Sequence, residues 1–244
     1  MKRVRLFLGI FLIGLAVMAQ DANEILKRVD ANLSSDNRKI VSALTIQGKR
    51  STRRIESLSY VVGREQSFTE YLAPAREKGT KMLKMGQKLW LYTPATDRIV
   101  QISGHMLRQS VMGSDLSYED MMDDRSLSQV YTATMTGTES LGDRLCYVLD
   151  LQASVLDLAY ERQRLWVDVE WMVPLQQEMY AKRGVLLKRI RMDDVQRVGG
   201  RWFPMRMLYK DMLKDGEGTL FEVESVNFNI EIPEHVFSKA SLRR

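Results

Sequence analysis

The sequence predicts a mainly β protein: a long antiparallel meander, curled into an open sheet, with a few helices covering its concave side. Two observations carry this. Strand-length runs rich in β-branched and aromatic residues recur from Arg38 to Ile230, each bounded by Gly, Asp, Asn or Pro and spaced closely enough for hairpins. Helical periodicity, by contrast, is confined to short stretches. An antiparallel sheet this long must curl or close, and its apolar face needs a cover.

The elements follow in order. "MKRVRLFLGIFLIGLAVMAQDA" has a basic start at Lys2, Arg3 and Arg5, an apolar run from Leu6 to Met18, and small residues at Val17 and Ala19. This is the pattern of a secretory leader, residues 1–19, cut after Ala19. The run is short for a membrane of about 30 Å and no second one follows, so the remainder is expected to be soluble and exported. Gln20, Asp21 and Ala22 stand where a lipid-carrying cysteine would be needed, so a freely diffusing protein is expected.

"DANEILKRVDANL" places Ile25, Leu26, Val29 and Leu33 at helical spacing, with Asp21 or Asn23 as N-cap. From Arg38 the period becomes two, with Ile40, Ser42, Leu44 and Ile46 on one face. Strand-like stretches continue past Gly63, and "TKMLKMGQKLWLYTPATDRIVQIS" reads as two strands joined by the turn "TPATD". Further on, Leu145, Tyr147, Leu149 and Leu151 oppose Asp150 and Gln152. Leu165, Val167 and Val169 oppose Arg164 and Asp168, and Phe203, Met205, Met207 and Tyr209 oppose Arg206 and Lys210. The expectation is one apolar face and one wet face throughout. Periodicity leaves open whether the space under the helices is an apolar cavity or a filled core.

Composition narrows the function. The chain of 244 residues has 36 Lys and Arg against 31 Asp and Glu, but three of the cations lie in the leader, which leaves a net charge of only +2. No basic run alternates with aromatics, so a nucleic-acid partner is not expected. Residues 20–244 carry no Pro, Ser or Gly-rich linker and no internal repeat, which fits one domain. Cys146 is the lone cysteine, so the core must hold the fold without an internal disulfide.

The stretch "HMLRQSVMGSDLSYEDMM", residues 105–122, is the chief candidate for chemistry. His105 lies near Ser110 and Ser114 at no recognised catalytic spacing, and with His235 and Cys146 it makes a poor zinc set. Asp115, Glu119, Asp120, Asp123 and Asp124 lack the glycine-punctuated spacing of a calcium loop. Metals, cofactors and enzymatic activity are therefore not expected. Ser114 or Ser117 instead makes a good N-cap for a short helix, with Glu119 and Asp120 in its first turn and Asp120 completing a loose capping box. Leu116, Met121, Met122 and Leu127 would then turn toward the sheet, with Met106, Leu107 and Met112 leading in. Methionine adapts its shape to flexible partners, and this suggests that residues 106–122 form a movable lid.

The blocks "TEYLAPAREKGTKMLKMGQKLWLYTPATDRIVQIS", "MGSDLSYEDM", "LWVDVEWMVPLQQEMYAKRGVLLKRI", "WFPMRMLYKDM" and "IPEHVFSKASLRR" occur in the order seen in the outer membrane lipoprotein-sorting family of periplasmic carriers, LolA and LolB, which the chain after the leader resembles. The resemblance implies an incomplete antiparallel β-barrel wrapped around helices, with a hydrophobic cavity for acyl chains. It implies a monomeric periplasmic carrier that takes lipoprotein or lipid cargo from an inner-membrane transporter to an outer-membrane acceptor, touching membranes only transiently. The unlipidated start fits the shuttle rather than the anchored member. The competing expectation is a periplasmic accessory or sensor subunit that binds a protein partner. Candidate cavity or lid residues are Trp90, Tyr92, Met106, Leu107, Met112, Leu116, Met121, Met122, Leu149, Leu165, Val167, Phe203, Met205 and Met207, with Trp90 and Trp166 equally able to face outward. Arg76, Lys78 and Lys81 are a solvated loop or a cationic rim.

Overall fold

The computed structural model describes residues 21–48, 51–123 and 125–244; the leader expected at 1–19 and Asp124 lie outside them. Helix α1 spans Ala22–Leu33. Six strands follow: β1 (Asn37–Gln47), β2 (Thr52–Val62), β3 (Gln66–Ala73), β4 (Lys81–Met85), β5 (Lys88–Thr93) and β6 (Arg98–Ile102). A crossing segment of 3-10 turns carries the short helices α2 (Tyr118–Met122) and α3 (Leu127–Val130). Seven more strands complete the chain: β7 (Tyr131–Leu141), β8 (Arg144–Ala153), β9 (Arg162–Asp168), β10 (Pro174–Tyr180), β11 (Leu186–Val198), β12 (Arg201–Asp211) and β13 (Thr219–Phe228).

All 13 strands form one antiparallel sheet in the order β6-β5-β4-β3-β2-β1-β13-β12-β11-β10-β9-β8-β7. Neighbours are joined by hairpins except at two places. The first and last strands pair in the middle of the sheet. Strands β6 and β7, consecutive in sequence, lie on opposite edges, so the chain from 103 to 130 must travel from one edge to the other. That topology makes residues 105–122 a cover rather than a surface loop. Bulges at Val41/Ser42, Glu56/Ser57, Met135/Gly137 and Pro174/Gln176 add the local twist that curls the sheet.

Helix α1 forms as its sequence expects. The Asp21 carboxylate accepts the Asn23 N–H at 2.9 Å, and Ile25, Leu26 and Val29 are wholly buried. They meet Leu149, Leu151, Leu165 and Val167 of β8 and β9 in the largest apolar cluster. Polar contacts set the helix's angle: Asn23 accepts the Ala133 N–H at 3.0 Å and Asn32 donates to Trp171 O at 2.7 Å. Beside it Asp168, fully buried, holds the fork of Arg144 at 2.6 and 2.9 Å and the N–H groups of Glu170 and Trp171. The Arg144 guanidinium lies 3.8 Å from the Trp171 ring, so the "LWVDVEW" block is a structural corner.

Three details depart from the sequence reading. Residues 80–103 contain three strands, because Gly86, at φ 53°, starts a tight hairpin that pairs Met85 with Lys88. The convex face is not uniformly wet. Cys146, Val148 and Trp166 are buried there, while Leu145, expected inside, is 49% exposed at the start of its strand. Phe68, Leu83 and Trp90 are also convex and are covered by Phe237 and Leu242 of the C-terminal 3-10 turns, with the Lys239 ammonium 4.4 Å from the Trp90 ring. Nor is the concave face apolar throughout: across β1, β2 and β3 it presents Ser42, Ser57, Ser59, Ser67 and Thr69.

Candidate ligand-binding site

The serine-rich half of the concave face is roofed by the crossing segment and bounded by the C-terminal end of α1. Between them lies a cavity of about 760 Å³. Its floor is Ile40, Ser59, Val61 and Thr69, and Leu33, Met121 and Leu127 add apolar wall. The volume is in the range of sites that enclose a small ligand. The floor's hydroxyls are partly self-satisfied, since Ser59 Oγ and Thr69 Oγ1 lie 2.8 Å apart.

The remaining wall is charged. Arg38, Arg64, Lys84, Arg125 and Arg201 line the cavity with Asp30, Asp36 and Asp123. Asp30 is occupied: its carboxylate accepts the N–H groups of Leu127 and Ser128 at 3.1 and 2.9 Å, capping α3, and sits 4.0 Å from Arg64. Asp123 pairs with Arg125 at 3.2 Å. Arg38 donates to Leu33 O at 3.3 Å and Arg201 to Ser34 O, so both reach the last carbonyls of α1 rather than a carboxylate. Burial holds the Arg38 guanidinium below its usual pKa, and the positive charges of Arg64 and Arg201 push the same way. Arg38 and Arg201 thus stand at one end of the cavity without an ion pair among the described residues.

The crossing segment is fastened on both sides. On one, Arg53 of β2 donates to Met112 O at 2.7 Å. On the other, Asp115 accepts from Thr219 Oγ1 at 2.7 Å and from the Asp211 N–H at 2.9 Å. Helix α2 begins with the capping box expected of it: Ser117 Oγ accepts the Asp120 N–H at 3.2 Å and Asp120 accepts the Ser117 N–H at 2.7 Å. Asp120 also receives Lys188 of β11 and the Tyr160 hydroxyl. Burial alone would raise the Asp120 pKa, but these donors outweigh it and hold the carboxyl below its usual range. Next to this latch lies a second cavity of about 650 Å³, lined by Leu116, Tyr160, Leu187 and Lys188 and by the loop residues Asp157, Leu158 and Leu213. Leu156 and Leu213, on those loops, are 87% and 71% exposed.

The residues proposed from sequence fall in several places. Met121 lines the larger cavity and Leu116 the smaller. Met106, Leu107, Met112 and Met122 pack the crossing segment onto β4, β5 and β6. Leu149, Leu165 and Val167 meet α1, while Phe203, Met205 and Met207 cluster with Val223 and Val226. Trp90 and Tyr92 belong to the cluster beneath the C-terminal turns. Lys81 is buried on β4 and donates to Arg244 O, whereas Arg76 is exposed. His105 is exposed, and the buried Ser114 bonds within its own turn to Leu116. Among the described residues no group of three or more His, Cys, Asp or Glu gathers as metal ligands do. Sequence reasoning missed Arg38 and Arg201. Their one signal is that each lies at the start of a strand, second in β1 and first in β12, and only the pairing of both β1 and β12 with β13 brings them together.

Solved structures share this curled antiparallel sheet with few helices. A DUF1329 family protein from Desulfovibrio piger matches with a TM-score of 0.80 at 22% identity, covering 91% of this chain and 97% of its own. A putative outer membrane lipoprotein-sorting protein domain from Vibrio parahaemolyticus gives 0.77 at 20% identity, covering 91% and 98%. A LolA superfamily protein from Nitrosomonas europaea gives 0.75 at 24%, covering 91% and 100%. The fold is thus LolA-like, as the sequence resemblance implied. A family model described as "Uncharacterized protein" matches residues 63–244, more than half of the chain, and the chain belongs to that family. No curated protein matches the sequence.

Proposed function

We propose that the protein is a periplasmic carrier, without enzymatic activity, that shields the acyl part of a lipoprotein or lipid between the inner and outer membranes. The observation that carries this reading is the cavity of about 760 Å³ left between the concave face, α1 and the crossing lid in a LolA-like fold. The leader sequence supports export, and among the described residues no helix is long and apolar enough to cross a membrane. Each methylene moved from water into such a space contributes about 0.8 kcal/mol, so a chain segment is held firmly and reversibly. The exposed Leu156 and Leu213 beside the latch are suited to brief contact with a membrane or acceptor.

Loading requires the crossing segment to lift. Its polar fastenings at Arg53, Lys84, Asp115, Asp120 and Lys214 are side-chain contacts rather than sheet ladders, so it can open without unfolding the sheet. Native mass spectrometry of protein purified from its own periplasm tests the carrier: co-purified lipid or acylated polypeptide is expected. A consistently empty protein that retains a polypeptide partner overturns it in favour of an accessory subunit.

A further inference from the structure

We propose that the larger cavity binds a phosphate-ester anion, the headgroup of the acyl cargo, between Arg38 and Arg201; this rests on the carrier reading for the acyl part. Two of the lining carboxylates are already occupied, Asp30 by the N-terminus of α3 and by Arg64, and Asp123 by Arg125. Arg38 and Arg201 form no ion pair among the described residues, and Asp36 is the remaining carboxylate in the wall. Lys84 on the same floor is engaged elsewhere, donating to Arg64 O and Met122 O at 3.1 Å, so the two arginines are the cations at issue. Holding guanidinium groups together in a half-enclosed space costs free energy unless an anion joins them.

Hydrogen bonding points the same way. The Nε–H groups of Arg38 and Arg201 and the Ser35 hydroxyl are buried with no partner. All three residues line this cavity. Unsatisfied buried donors are uncommon, and three at one site call for a ligand with several acceptor oxygens. A carboxylate offers two; a phosphate monoester offers three, with the charge and the oxygen edges that guanidinium forks match. The bonds to Leu33 O and Ser34 O anchor the forks at the end of α1, so little ordering remains for the ligand to impose. Next to the arginines, Leu33, Ile40 and Val61 give an apolar surface onto which the ester's chain can run. The chemistry recognised is therefore an anionic phosphate ester bearing a hydrocarbon tail.

Isothermal titration of the purified, delipidated protein with three probes tests this: dihexanoyl phosphatidic acid, dihexanoylglycerol and inorganic phosphate. Phosphatidic acid is expected to bind at least ~tenfold more tightly than dihexanoylglycerol and to weaken as salt rises, because the half-open cavity leaves its charge pairs within reach of screening ions. Arg38→Gln and Arg201→Gln should each abolish most of the preference of phosphatidic acid over dihexanoylglycerol, together with its salt dependence. Arg201→Lys should restore part of it. If a variant does not fold, the headgroup preference and salt dependence of the unaltered protein decide alone. Equal, salt-independent binding of both lipids overturns the anion site and leaves the carrier. Phosphate bound as tightly as phosphatidic acid, with dihexanoylglycerol unbound, supports the anion site and removes the carrier. Binding of none of the three overturns both.

Discussion

The two halves of the sheet treat their concave faces in opposite ways. On β8 and β9 the inward residues Leu149, Leu151, Leu165 and Val167 are all wholly buried against α1. On β1, β2 and β3 the same face carries Leu44, Ile46, Ile55 and Tyr71, buried under Met112 and Leu116, at one end, but Ile40, Ser59, Val61, Ser67 and Thr69 line the larger cavity at the other, and no helix of similar length among the described residues covers them. Apolar surface repays a permanent cover, whereas hydroxyls tolerate water, so the α1 half is a closed core and the cavity end of the other half stays available to a guest. The short helix is what makes this division. Twelve residues reach across only part of so wide a sheet, and the crossing lid, latched by polar contacts, closes the rest.

If that contrast is right, truncations should separate the halves. Leu165→Ala or Leu149→Ala removes a side chain from a closed core and should cost about 2–5 kcal/mol of unfolding free energy by urea denaturation. Val61→Ala, at the cavity floor, should cost less than about 1.5 kcal/mol, because water or a ligand already meets that side chain. Equal losses would break the comparison and place the floor inside a common core.

The latch is the next test. Lys188→Met leaves the Asp120 carboxylate with Ser117 and Tyr160 but without its cation. Amides of residues 105–123 should exchange at least ~tenfold faster, while those of α1 and β9 stay unchanged. Uniform acceleration across the chain would mean that the lid is part of the core. The same carboxyl predicts a milder acid response. Its folded pKa lies below the ordinary carboxyl value of 3.8, so its contribution is complete above that pH and is lost as pH falls through the lower folded value. Exchange corrected for its intrinsic pH dependence should therefore show the lid loosening only below about pH 4, and Asp120→Asn should remove the transition.

What could be read beforehand follows from the range of the interactions. Helix α1, the capping box at Ser117 and the antiparallel meander depend on neighbours a few residues apart, and the sequence displays them directly. The face that Trp90 adopts depends on Phe237 and Leu242, which arrive from the far end of the chain. Alternation alone assigns Tyr147 and Val148 to opposite faces but cannot say that both faces of β8 are covered. The cationic wall was least legible. Arg38 and Arg201 are separated by most of the chain and meet only through the β1-β13-β12 order, a topological fact with no local signature. Methionines of the lid were visible as a group, but most of them pack the lid onto β4–β6 and only Met121 turns to the larger cavity.

The smallest effect is the most discriminating about why the floor is polar. Ser59→Val removes the hydroxyl that lies 2.8 Å from Thr69 Oγ1 and adds a methyl beside Ile40 and Val61. In a sealed core the abandoned Thr69 hydroxyl would cost about 1–3 kcal/mol, but in a cavity open to water it finds a new partner, and the net change should stay under about 1 kcal/mol. The added methyl should at the same time strengthen binding of a neutral acyl probe by a few-fold, since more of the chain would meet apolar surface. Stability lost without a gain in affinity would mean that the serine layer is structural and that the guest lies elsewhere. A gain in affinity at unchanged stability would mean that the hydroxyls keep the floor wettable, holding the carrier's grip loose enough to release what it carries.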